Sequence, residues 1–295
     1  MRKKIKRKVK LIHEIFDWKG IPILAAVFIF LFFIENRFEL RNRVQPKKKR
    51  TMINNLVAIP SFVLLRFLLL PVMVWLAVQN EKTLHIGLNY LYKLPVWLEA
   101  TIAFLILDFT NYLWHILNHK LPVLWRFHIV HHTDPDLDVT TAIRFHYGEL
   151  IGSVFFRGAF VFLGGGGPML VLIYEIAFEA ATQFHHSNLK LPVKVERIIN
   201  TIFVTPRMHG IHHSIVKNET DSNFAVIFSF WDRIGKTIQL QVEQNAVITG
   251  VPSYRNAQEL TAGFLLAMPF TKIRQVPDIE RPAEDNAGNK NILAE

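Results

Sequence analysis

Residues 114–132 read WHILNHKLPVLWRFHIVHH, and residues 209–213 read HGIHH. As spacings these are HxxxH at His115 and His119, HxxHH at His128, His131 and His132, and HxxHH again at His209, His212 and His213. Residues three and four apart share one face of a helix, so each motif aims two or three imidazoles in one direction. Neutral imidazole is a ligand for iron, zinc, copper or nickel. Eight histidines in three such motifs have the capacity to fill most coordination positions of two adjacent metals. A lone histidine is more often a surface or hydrogen-bonded core residue, and His13 and His85 are read that way. Three motifs of matching spacing read instead as a metal centre.

Composition sets the surroundings of that centre. The 295 residues are 51% hydrophobic and include 24 phenylalanines, enough apolar surface for a membrane domain. The absence of cysteine excludes disulfides, thiolate metal sites and a cysteine nucleophile. The net charge of +10 is concentrated in residues 1–10, with seven Lys or Arg, and residues 41–50, with six. In a soluble chain such blocks suggest nucleic acid. Beside long apolar segments they read as cytoplasmic flanks drawn to anionic lipid headgroups, and no nucleic-acid partner is expected. No small-residue cleavage site follows the first apolar stretch, so no removable signal peptide is expected.

Outward from the histidines, residues 96–117 form an apolar helix with a polar stripe of Asp108, Asn111, His115 and His119. Asp108 and Asn111 are read as groups that support the ligands. Upstream, residues 53–79 are long enough to span despite Pro60, Pro71 and a central Arg66, which needs a partner or a polar cavity. Residues 20–34 are short for a span and are either re-entrant or crossing; crossing puts the basic N-terminus outside. Residues 80–95 read as a loop. Downstream, the stretches 150–163 and 168–181 are hinged by Gly164-Gly165-Gly166-Gly167-Pro168, a sharp turn. The second arm carries Glu175, Glu179, Gln183 and His186 on one inward face. With residues 41–50 cytoplasmic, all histidine motifs arrive at the cytoplasmic face.

These segments, with WRFHIVHH, DVTTAIRFH, QFHHSN, TPRMHGIHH, NETDSNF and WDR, resemble the fatty acid hydroxylase and sterol desaturase superfamily of integral-membrane histidine-rich diiron oxygenases, over roughly residues 96–240. The resemblance implies an all-α integral membrane protein. About four transmembrane helices, including the glycine-hinged hairpin, would carry a cytoplasmic histidine-rich helical cap. It divides the chain into a basic N-terminal segment (1–50), a catalytic membrane domain (51–240) and a partly disordered C-terminal tail (241–295). Carried over by position, His115, His119, His128, His131, His132, His209, His212 and His213 become metal ligands, and His186 of QFHHSN a ninth. Thr182 stands where some relatives have another histidine, with His185 either substituting or facing elsewhere, and Tyr147 replaces the proline after Arg144-Phe145-His146, leaving His146 as ligand or support.

The family's chemistry would use two iron ions and O2 to hydroxylate or desaturate a C–H bond of a membrane lipid: sterol, hopanoid, fatty acyl, carotenoid or ether lipid. Hydroxylation is the preferred reading. Zinc is an expected replacement metal in purified protein. No HPGG haem-binding segment is present, so the electron donor is expected to be a separate protein, cytochrome b5-like or a ferredoxin with its reductase. Two competing classes remain. A zinc-dependent membrane hydrolase needs only three protein ligands and an open position, and no HExxH is present. A metal transporter or sensor needs ligands along a transmembrane path.

Overall fold

The computed structural model describes residues 10–92 and 94–280, so the basic residues 1–9 and the end of the tail, 281–295, lie outside the described part. Among the described residues there is no β-strand, only isolated bridges. The longer helices are α1 (Ile21–Arg37), α2 (Lys47–Leu64), α3 (Leu70–Gln79), α4 (Val96–Lys120), α5 (Pro122–His132), α6 (Tyr147–Gly164), α7 (Pro168–His186), α8 (Val193–Asn200) and α9 (Pro206–His212). A further helix, α10 (Ala262–Ala267), follows. Four stretches, Lys10–Arg37, Lys47–Leu91, Val96–Lys120 and Tyr147–Gly164, are long and apolar enough to cross a membrane. Their outward faces carry Phe30, Phe33, Phe67, Trp75 and Phe155, each about half or more exposed, an apolar belt that water would not tolerate and lipid does.

Local chemistry explains the breaks. Proline has no N–H to continue the helical ladder, and a π-helical turn at Leu65–Leu69 lies immediately before Leu70-Pro71. The glycine hinge turns as expected. Gly165 has φ +68°, the left-handed conformation that favours glycine, and its N–H closes on the Val161 and Phe162 carbonyls before Pro168 opens α7.

The N-terminal segment is longer than its apolar core suggests. It is helical from Lys10 to Arg37, 28 residues or about 42 Å, enough to cross. Just past its end the Leu40 N–H meets the Asn188 carbonyl at the histidine-bearing end of the bundle, so its start lies at the opposite end. There Asp17 supplies the partner Arg66 requires, through a bidentate pair of 2.7 and 2.6 Å. Residues 80–95 are not a plain loop: a π-type turn at Asn80–Leu84 prolongs the helix, and Leu88–Leu91 forms another short one.

The basic block at 41–50 is largely internal, which corrects its reading as a headgroup-facing flank. Arg50 is 1% exposed and is paired with Asp134 (2.8 Å) and Asp138. Arg41 donates to the Pro206 carbonyl (2.6 Å) and to Gln244 (3.0 Å), while Lys47 pairs with buried Glu35 at 2.8 Å. Only Lys48 and Lys49 of that run face outward. A buried guanidinium is tolerated only when its donors are met; here they fasten α2 to the Asp134–Arg144 segment, where Asn54, Thr140 and Thr141 complete the network. Residues of the 241–280 segment pack into the same end. Val251, Tyr254, Leu260, Leu265 and Met268 share a core with Ile53 and Val57 of α2 and Ile129 and Val130 of α5.

Candidate metal centre

The last two turns of α4, all of α5, the end of α7 and all of α9 meet at one end of the bundle. Their histidines form two groups: His115, His119, His128, His132 and His212, and His131, His186, His209 and His213. Within each group the ligand atoms lie within 4.8 Å of one another. The partition follows from helix geometry. In each HxxHH motif the first and last histidines are four apart and share an edge, whereas the middle one is turned aside. On α5, His128 and His132 enter the first group and His131 the second; on α9, His209 and His213 enter the second and His212 the first. Each motif therefore bridges both groups in reciprocal fashion. The imidazoles of His132 and His213 stack across the boundary with centroids 4.4 Å apart.

Hydrogen bonding decides which nitrogen each ring presents. In the first group the Nδ1 atoms of His115, His128 and His212 are engaged by the Phe224 carbonyl (2.8 Å), the Glu149 carboxylate (3.1 Å) and the Ser222 carbonyl (2.7 Å). The Nε2 atoms of His115, His119, His128, His132 and His212 are buried without a partner. Five orphaned nitrogens around one point would be costly if nothing bound them. In the second group, His186 Nδ1 donates to the Thr182 carbonyl, while neighbouring Nε2 atoms approach at 2.9 Å (His131–His186), 3.0 Å (His186–His209) and 3.1 Å (His209–His213). With metal–imidazole bonds of about 2.0–2.1 Å, two ligand atoms at a right angle stand about 3.0 Å apart. The donor sets thus fit two metal ions. Burial and the surrounding imidazoles hold His131, His132, His209 and His213 well below the ordinary histidine value, and burial takes His212 to about 3. Neutral rings are the ligating form.

The other candidates lie elsewhere. Both nitrogens of His146 are engaged, Nδ1 by the Gly148 N–H that it caps (2.9 Å) and Nε2 by the Leu266 carbonyl (3.1 Å). His185 belongs to neither group; its Nδ1 meets the Val226 carbonyl, and its ring lies 4.1 Å from that of His209. Asp108 accepts from Trp231 Nε1 (2.9 Å) and the Phe228 N–H (3.3 Å), and Asn111 donates to the Tyr174 hydroxyl (2.6 Å), so neither bonds a histidine. Asp108 instead anchors the Trp231-Asp232-Arg233 segment. The support that sequence reasoning missed is Glu149, in the first turn of α6, which braces His128 and also accepts from Asn118 at 3.2 Å. A lone glutamate opening an apolar helix carries no periodic signal.

Beneath the groups, a small chamber of about 50 Å³ touches His115, His128, His131 and His186. A larger cavity of about 150 Å³ shares Asn111, Trp114, Phe145, Glu149 and Phe178 with it and runs down between the helices. Its wall includes Phe62, half exposed on the outer face of α2. The site is therefore reachable from the apolar belt.

The fatty acid hydroxylase family matches residues 100–237, the stretch that carries the nine histidines of the two groups. Over that stretch, just under half of the chain, the residues match the fatty acid hydroxylase superfamily. Among curated members it is 28% identical to the ornithine lipid hydroxylase of Rhizobium tropici over 181 residues, covering 60% of this chain and 52% of that one. It is 28% identical to the alkylglycerol monooxygenase of Homo sapiens over 184 residues (59% and 39%). It is also 28% identical to the human cholesterol 25-hydroxylase over 138 residues (46% and 49%). The matches span about half or less of the length of these three relatives. No solved structure matches the chain.

Proposed function

We propose that the chain is a membrane-bound lipid monooxygenase that uses two irons, O2 and electrons from a separate donor protein to hydroxylate a C–H bond. The observation that carries this reading is the pair of reciprocal histidine groups set over a lipid-accessible cavity. We assign His115, His119, His128, His132 and His212 to one iron and His131, His186, His209 and His213 to the other. Bound there, the irons would supply O2 activation and attack on an unactivated C–H bond. In balance, one oxygen atom enters the lipid and the other leaves as water, with two electrons and two protons supplied from outside.

The chain's own residues do the rest. Glu149 and the Phe224, Ser222 and Thr182 carbonyls fix ring tautomers and aim the unpaired nitrogens. Trp114, Phe145 and Phe178 line the approach and exclude water from the reacting carbon. Residues 51–240 would be the catalytic unit, with 241–280 packed against its histidine-bearing end. That end would face the cytoplasm, where a reductant is available and where exposed Lys48, Lys49, Lys120 and Lys217 lie. The names of relatives extend the substrate classes to ornithine lipids, alkylglycerols and cholesterol.

His131→Ala should lower iron content and abolish lipid oxygenation while membrane insertion persists; full iron content would overturn the ligand assignment. Reporter tags after residue 45 and at the C-terminus should both report the cytoplasm, and opposite sides would reject the orientation.

A further inference from the structure

The cavity beneath the histidines is apolar except for a few polar groups, two of which carry ionisable charge and lack a full set of partners. Arg157 of α6 is 5% exposed; its Nη2 pairs with Glu175 while its Nε is buried without a partner. Glu179 of α7 also lines the cavity, one helical turn beyond Glu175, and has no hydrogen bond or ion pair among the described residues. The remaining carboxylate on the wall, Glu149, is committed to His128 and Asn118. Arg157 answers Glu175 of the neighbouring turn, which leaves Glu179 as the one carboxyl on this wall with no partner among the described residues. A carboxylate away from water is stable when met by a cation or a strong donor. No further Lys, Arg or His lines that cavity.

We propose that this pocket takes a lipid bearing a cationic amine, with Glu179 receiving the ammonium. The assignment deepens the oxygenase reading by naming the substrate class, and rests on it only for what happens at the other end of the lipid. Glu179 and His186 are seven residues apart on α7, two turns or about 10 Å along the axis. An amine held at Glu179 therefore places a carbon about that far along the molecule beneath His131 and His186. An alcohol of the same chain would offer a single neutral hydrogen bond in place of the charge-assisted one. Glu179 would thus determine specificity through the part of the lipid that does not react.

The test uses the full chain in bilayer nanodiscs and two probes of equal chain length, hexadecylamine and hexadecanol, with retention read by native mass spectrometry. The unsubstituted protein should hold the amine at least about tenfold more tightly than the alcohol. Glu179→Gln should remove that preference, and Glu179→Asp should restore part of it. Equal retention of both probes by the unsubstituted protein, or an intact preference in Glu179→Gln, overturns the proposal. His131→Ala separates the two readings: it should lose oxygenation and keep the amine preference. A preference for the amine with no oxygenation by the unsubstituted protein, once iron, O2 and a reduced electron-donor protein are supplied, would count against the oxygenase reading alone.

Discussion

Glu149→Ala is the most informative single change, because it removes no ligand. Glu149 is 7% exposed; one carboxylate oxygen meets His128 Nδ1 at 3.1 Å and the other accepts from Asn118 at 3.2 Å. Its loss leaves a buried imidazole N–H and a buried amide without acceptors. A hydrogen bond to a charged group is worth about 1.5–3 kcal/mol, and 1.4 kcal/mol is a factor of ten, so iron affinity should fall about 10–100-fold, as for other supports of metal-bound histidine. The loss should be confined to the group containing His128, since the hydrogen bonds of Glu149 reach no histidine of the other group. The assay is iron per chain after equilibration with graded chelator. One of two irons should leave at a chelator concentration about 10–100-fold lower than in the unsubstituted protein, while the other holds. Glu149→Gln, whose amide oxygen still accepts from His128, should fall between the two. Two irons leaving together at the unsubstituted concentration would refute the bracing role and the division into two groups.

Two further substitutions probe the frame. Asp17→Leu leaves part-buried Arg66 without its bidentate partner and should cost about 1–3 kcal/mol; denaturation in detergent should shift down, and Asp17→Leu with Arg66→Leu should recover much of it. Gly210→Ala puts a methyl group onto the Arg41 guanidinium, which passes α9 to reach Pro206 and Gln244. That overpacking should cost about 1–3 kcal/mol and loosen the second iron, read as lower thermal stability and earlier iron loss; an unchanged protein would mean that Arg41 moves aside freely.

The histidines were legible because a spacing of three and four is itself a geometric statement about a helix. The hinge was legible because glycine and proline act locally. What escaped the sequence was pairing at a distance. The cations of residues 41–50 look like a solvated flank until Asp134 and Asp138, more than 80 residues away, fold against Arg50. Arg66 announced a need but not that Asp17 met it. Asp108 shares a stripe with His115, yet an indole N–H from residue 231 claims it. Periodicity gives the face on which a side chain lies and leaves open which neighbour arrives there.

The most direct test of the central reading is the origin of the oxygen. Cells expressing the intact chain or His131→Ala, with a compatible reductase, would be grown under 18O2 and their total lipids compared by mass spectrometry. A lipid should gain one 18O atom only with the intact chain. A product oxygen drawn from water, or the same labelled lipid with His131→Ala, would contradict it.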